Sequence, residues 1–238
     1  QQLVDRKQEN RKTYTAAYHF LSKNIRQLNR PELPNIQLPE AGDIALLSTN
    51  EPYGTERMWT GKSKQDVYAI HLQSGVISEL AKANDNRIRI SPAGKYAFWY
   101  NDTDSAWFTC SLSDNKIHRL TTPDTFQAWD QDNDVPDYPN SYGAAGWSKN
   151  DKYLLLYDRN NIWRFSPTGA EKPVNLTLRG EEKRLSYRIV DVDKDIKDID
   201  LNAVQLLTGF DEETKTTGFY SATLYYRDFF TVSGDTLF

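Results

Sequence analysis

Apolar and polar positions alternate in short runs along this chain, and the runs are broken by turn residues. Val67-Tyr68-Ala69-Ile70-His71-Leu72 leads through Gln73-Ser74-Gly75 into Val76-Ile77-Ser78-Glu79-Leu80. A period of two interrupted by Ser-Gly reads as a β-hairpin. The same unit returns at Ala17–Leu28, at Trp107–Thr121 and at Ile162–Thr177. Between the aromatic anchors Tyr18, Tyr68, Trp107 and Trp163 the steps are 50, 39 and 56 residues, so the unit is constant and its connections vary.

A second hairpin precedes the first within each unit. Ile90–Tyr100 matches Gly146–Tyr157, and Leu38–Leu46 is a weaker copy. In Ser91-Pro92-Ala93-Gly94 the proline presets φ, and the glycine accepts the positive φ that the turn requires. Two hairpins per repeat make four strands, which is a propeller blade. The expected fold is therefore all-β: a partial or open β-propeller of about four to five four-stranded antiparallel blades. The blades of this single fragment fall at about residues 1–30 (partial), 31–80, 81–120, 121–177 and 178–238. A β-sandwich also has short strands and frequent turns, but it does not repeat a two-hairpin unit.

Tyr68, Trp107 and Trp163 are expected at one equivalent place in each blade, packed between neighbours, so that Trp163→Ala would cost about 3–5 kcal/mol if the ring is buried. Little helix is expected, since Thr13, Tyr14, Thr15 and Tyr18 favour extended backbone even in the tolerant stretch Asn10–Phe20. At the far end Thr231-Val232 reads as a strand, Ser233-Gly234-Asp235 as a turn and Thr236-Leu237-Phe238 as a returning strand. That broken hairpin, and a polar opening from Gln1 to Lys12 with no initiating Met, imply excision from a longer chain.

Composition narrows the function. With 29 basic against 33 acidic side chains the net charge is −4, which argues against nucleic acid or an anionic surface as partner. Fourteen Tyr, 10 Phe and 6 Trp support strands. Cys110 is the only cysteine, so no intrachain disulfide or cysteine-based zinc site is available. No apolar run approaches the roughly 20 residues of a membrane span, and no membrane insertion is expected.

Catalytic motifs are missing. No two of the 12 glycines stand four apart, as a Gly-x-Ser-x-Gly nucleophile elbow needs, nor two or five apart, as phosphate loops need. No catalytic residue, cofactor or metal is assigned. His19, His71 and His118 fall at hairpin ends and are read as structural. Asp191-Val192-Asp193-Lys194-Asp195 imitates a calcium loop, but Ile196 stands at its glycine position and Asn202 at its closing glutamate. It is read as a solvated edge and turn.

The turn Ser91–Tyr96, the closing Asn175-Leu176-Thr177, the run Asp134-Val135-Pro136-Asp137 with Tyr142–Trp147, and Gly209–Tyr220 resemble the N-terminal propeller of bacterial prolyl oligopeptidase family serine peptidases. TolB-like propellers share the Ser-Pro-x-Gly-Lys turn. The resemblance spans about Tyr18 to Tyr220. It implies a non-catalytic propeller that gates or positions peptide substrate for an α/β-hydrolase domain elsewhere in the parent chain, in a periplasmic or secreted protein. The alternative is a TolB-like protein-interaction scaffold with no associated enzyme.

The acidic insertion Asp130–Asp137 accounts for the longest repeat step. Loops on a rigid scaffold are where binding resides. Trp129, Asp130, Asp132, Asp134, Asp137, Tyr138 and Tyr142 are therefore the candidate contacts to a basic group of a peptide or of the partner domain. Open sheet edges also predict self-association of the fragment.

Overall fold

The computed structural model describes residues 12–178 and 180–237; the opening run through Arg11, and Phe238, lie outside the described residues. The chain divides into two compact units, residues 1–85 and 86–238.

In the first unit β1 (Ala16–His19) and β2 (Asn24–Gln27) form a hairpin. A four-stranded antiparallel sheet follows, in the order β3 (Asn35–Gln37), β4 (Ile44–Thr49), β5 (Gln65–His71) and β6 (Ile77–Asn84). Ala45, Leu47 and Ile70 of this sheet bury themselves with Leu28 and Leu33. One element was not expected. A helix, α1 (Gly54–Thr60), occupies the β4–β5 connection and ends at Gly61 with φ 71°. It buries none of its residues, so no apolar stripe marked it in the sequence.

The second unit contains three blades. The first is β7 (Arg89–Ile90), β8 (Tyr96–Asn101), β9 (Ala106–Ser111) and β10 (Ile117–Arg119). The second is β11 (Ala144–Ser148), β12 (Leu154–Tyr157), β13 (Ile162–Phe165) and β14 (Val174–Asn175). After a short helix, α2 (Gly180–Lys183), the third comprises β15 (Leu185–Ile189), β17 (Val204–Asp211), β18 (Thr216–Thr223) and β19 (Asp228–Leu237). Between β15 and β17 the chain makes an excursion whose strand β16 (Asp198–Ile199) pairs in parallel with β11. This fifth strand departs from the antiparallel expectation. It also accounts for Gly146: φ is +143° there, and a Cβ would meet Ile199 Cδ1 at 3.1 Å.

The run Tyr153-Leu154-Leu155-Leu156-Tyr157 is apolar at every position because its strand is covered on both faces. Leu154 and Leu156 enter a cluster with Phe98, Trp107, Trp147 and Phe165. Leu155 and Tyr157 turn the other way, to Ile162, Leu176, Leu185, Tyr187 and Leu207. Adjacent blades are thus held by alternate side chains of one strand.

Hydrogen bonding corrects the expected aromatic register by one residue. The Leu120 amide donates to the Trp107 carbonyl as the Leu176 amide donates to the Ile162 carbonyl. The Trp107 and Ile162 amides donate in turn to Thr121 Oγ1 and Thr177 Oγ1 at 2.8 and 3.1 Å. Trp107 is therefore equivalent to Ile162 and Val67, all at most 2% exposed, whereas Trp163 matches Phe108 and Tyr68, which are half-buried. Successive strand residues face opposite ways, so the one-residue slip separates buried from half-buried positions. The broken hairpin near Gly234 is corrected too. Asp228–Leu237 is one strand that stays on β18 and takes up the irregularity as register shifts between Thr217 and Tyr220.

Two turns of neighbouring blades are locked together. Asp151, 2% exposed, accepts hydrogen bonds from Ser91 Oγ, from the Ala93 amide at 3.0 Å and from the Lys95 amide at 3.1 Å. Asn150 and Asp151 reach this position with φ of 60° and 55°, the left-handed region that Asn and Asp tolerate. Cys110 is buried at the foot of the same blade, and burial pushes its thiol up to about 11. Native protein is therefore expected to react with a thiol reagent at pH 8 at least about tenfold more slowly than urea-unfolded protein, because the thiolate is the reactive form. Equal rates would mean that the strand opens freely.

Candidate functional site

In an up-and-down sheet, the turn between strands two and three lies at the same end as the exit to the next sheet. In the second unit this end carries the insertion between β10 and β11, the β12–β13 turn, α2 and the β17–β18 turn. Together they enclose a cleft of about 440 Å³ lined by residues from all four, including Gln127, Gln131, Arg159, Trp163, Arg184 and Glu212.

The insertion closes on itself at its neck. Trp129 bridges Ser141, the Asp130 amide donates to the Asn140 carbonyl at 2.7 Å, and the Tyr142 amide donates to the Ala128 carbonyl at 2.9 Å. Phe126 and Ala128 anchor it in the aromatic cluster. Within the loop, Asp130 Oδ1 accepts the Asp132 amide, and Asn133 Nδ2 spans to the Val135 and Asp137 carbonyls.

Of the residues expected here, Asp132 is brought to the cleft's edge, where its Oδ2 lies 3.0 Å from Arg159 Nη2. Tyr142 stands beside it, its hydroxyl accepting the Gln131 amide at 3.0 Å. Trp129 and Asp130 are half-buried supports of the neck. Asp134, Asp137 and Tyr138 are exposed and are not part of the lining.

The centre of the site is a residue that sequence reasoning passed over. Arg159 lies in the β12–β13 turn, and its Nε donates to Glu212 Oε1 at 3.0 Å while its Nη groups reach Asp132. One guanidinium so ties the insertion to the next blade. Glu212 also accepts from Ser186 Oγ at 3.1 Å, and the Arg159 hydrogen bond chiefly, with that of Ser186, holds its carboxyl below the usual glutamate range. A carboxyl whose folded pKa is depressed stabilises the folded state above its unfolded value of about 4.3, and that contribution is lost as pH falls through the depressed value.

The turn bearing Arg159 is shaped by its neighbours. Asp158 Oδ1 accepts the Asn160 and Asn161 amides, and its Oδ2 accepts Trp163 Nε1 at 2.6 Å. Asn161 Oδ1 takes the Thr177 hydroxyl at 2.9 Å and the Gly180 amide at 3.0 Å. Only glycine fits at 180, since a Cβ would lie 2.6 Å from the Asn160 carbonyl oxygen. Beneath the turn, the Arg188 guanidinium donates to the carbonyls of Tyr187, Asp158 and Arg159 and lies 4.6 Å from the Tyr157 ring centre; burial lowers its pKa. It remains a cation held by carbonyl dipoles and an aromatic face.

The rim carries the carboxylates of Asp132, Asp158, Glu181, Glu212 and Glu213 against the guanidiniums of Arg159 and Arg184. The excess negative charge, beside the half-buried Trp163 and the Phe126 ring whose centre lies 5.7 Å from that of Trp163, suits a cationic group. Arg159 and Asp158 could have been suspected from one signal: an Asp-Arg-Asn-Asn turn at the same end of the blades as the insertion. Among the described residues no group of three or more His, Cys, Asp or Glu side chains is placed to hold a metal ion.

No protein-family model matches the chain, and no curated protein is similar to it in sequence. Solved structures are similar in fold. Dipeptidyl peptidase 4 of Porphyromonas gingivalis superposes over 95% of this chain with a TM-score of 0.57 and 11% identity, the chain spanning 37% of that enzyme. A protein described as dipeptidyl aminopeptidase IV from Bacteroides ovatus aligns with 92% of the chain and 40% of its own length, at 10% identity and a TM-score of 0.49. For one described as TolB from Agrobacterium tumefaciens the values are 89%, 70%, 11% and 0.46. The repeated four-stranded sheets, with the fold shared with the first of these, make the chain all-β and of the open β-propeller kind, the sheets being its blades.

Proposed function

We propose that this domain positions peptide substrate for a separate serine peptidase domain of the same parent chain and does no bond-breaking chemistry itself. The observation that carries the reading is the Asp132–Arg159–Glu212 bridge, which fastens an acidic insertion over an aromatic cleft on one end of the blades. A basic group of a peptide would enter against the rim carboxylates and lie beside Trp163. The fold shared with a dipeptidyl peptidase supports the reading, as does the resemblance of the insertion and of the Gly209–Tyr220 run to prolyl oligopeptidase propellers. Among the described residues no helix is long and apolar enough to cross a membrane, and the reading takes the protein to act in the periplasm or outside the cell.

Calorimetry with a lysine-containing tripeptide and its fully acetylated form tests the proposal on this chain alone. The charged peptide is expected to bind, and the acetylated one to bind at least about tenfold more weakly, which is about 1.4 kcal/mol. Glu212→Gln should weaken the charged peptide alone, and binding should fade below about pH 4 as the carboxylates protonate. Equal affinity for the two peptides, or none for either, would remove the reading.

A further inference from the structure

The opposite end of the same blades holds a second cleft, of about 400 Å³, formed by the β7–β8 turn, the β11–β12 turn and the Ser166–Thr168 turn. Lys95, Lys149 and Lys152 line it. The one acid in its wall, Asp151, has its carboxylate already occupied by the Ser91 hydroxyl and two amides. No carboxylate lies within ion-pair distance of any of these three lysines among the described residues. Lys95 Nζ donates to the Asn150 carbonyl at 3.0 Å, and Lys152 Nζ lies 5.2 Å from the centre of the Tyr153 ring. Both ammonium groups are thus steered by neutral partners.

We propose that this cleft binds a phosphoryl group. Three lysines from two turns, none with an ion-pair partner among the described residues, line this one cleft on a protein whose net charge is −4. Lysine serves phosphate as a point charge with rotatable donors, and three of them match a multiply charged oxyanion better than a single carboxylate. The Ser166 and Thr168 hydroxyls, 3.2 Å apart, add neutral donors at the wall. The walls are preformed. Asp151 pins the two lysine-bearing turns to each other, and Thr109 Oγ1 donates to the Pro167 carbonyl, fixing the third. Preorganised walls reduce the ordering cost of binding. The inference is independent of the peptide-binding reading, because it uses the other end of the blades and none of the same side chains.

The phosphoryl group belongs either to a free anion or to a lipid headgroup, and two arms of one experiment separate these sources. Pyrophosphate is titrated into the chain by calorimetry at low salt, and the chain is co-sedimented with vesicles of phosphatidylglycerol or of phosphatidylcholine. The same is done with the triple variant Lys95→Gln, Lys149→Gln, Lys152→Gln and with Lys23→Gln as a control. Saturable pyrophosphate binding that weakens about tenfold or more in the triple variant, and is unchanged in the control, supports the site with a free anion as ligand. Sedimentation with phosphatidylglycerol alone, lost in the triple variant, supports it with a headgroup as ligand. No saturable binding in either arm, or binding equal in wild type and triple variant, overturns the proposal. Circular dichroism of the triple variant, whose substitutions are all at exposed positions, confirms that it folds.

Discussion

Asp151→Ala is expected to lower unfolding stability by about 2–4 kcal/mol, a large share of the 5–15 kcal/mol typical of a domain. The carboxylate accepts the Ser91 hydroxyl, which is itself fully buried, and it takes the Ala93 and Lys95 amides as well. Removing it strands a buried hydroxyl and two amides at the joint between adjacent blades, and each unsatisfied buried donor costs about 1–3 kcal/mol unless water reaches it. Asp151→Asn keeps one carbonyl oxygen in place and should recover part of the loss. Urea unfolding monitored by tryptophan fluorescence reads the difference. A loss under about 0.5 kcal/mol would mean that the two turns are not held by this side chain.

Trp107→Ala should cost about 3–5 kcal/mol, and Trp163→Ala distinctly less, about 1–2 kcal/mol. The two residues look alike in the repeat. Trp107 is 2% exposed between blades, its ring 5.6 Å from that of Tyr100 and 6.4 Å from that of Phe98. Trp163 is half-buried in the cleft wall, with its Nε1 donating to Asp158. Trp107 Nε1, by contrast, is buried with no hydrogen-bond partner, so Trp107→Phe should be tolerated far better than Trp107→Ala. Equal losses for the two alanine variants would restore the register in which both tryptophans occupy one position. The larger loss at Trp163 would reverse the assignment.

Those contrasts mark the limit of what repetition in a sequence conveys. The turns were legible because their chemistry is local: Gly75, Gly94 and Gly169 have φ of 72°, 66° and 69°, as the Ser-Gly, Pro-x-Gly and Pro-Thr-Gly runs implied. The face of each aromatic was not, since it depends on a register of one residue that the ladder's hydrogen bonds set. Helix α1 escaped notice because it is short and buries nothing. Strand β16 escaped because its two residues pair with a strand some 50 positions earlier, and a parallel pair leaves no local turn signal.

The candidate site divides in the same way. Asp132 and Tyr142 were visible as an acidic, aromatic insertion, but Asp134, Asp137 and Tyr138 of the same insertion stay in solvent. Chain proximity alone could not separate them, because which carboxylate turns inward depends on where Asn133 and the neck hydrogen bonds bend the loop.

By itself the sequence determined the blades: period-two alternation and positive-φ turn residues encode strands and their hairpins within a few positions of one another. Only the tertiary structure decided that Arg159 joins Asp132 to Glu212, 27 residues before it and 53 after it. It also decided that three lysines of two separate turns share one cleft. Such groups meet because blades stack through the alternate faces of strands like β12, and contacts between stacked sheets are set by packing across the chain, where no local spacing records them.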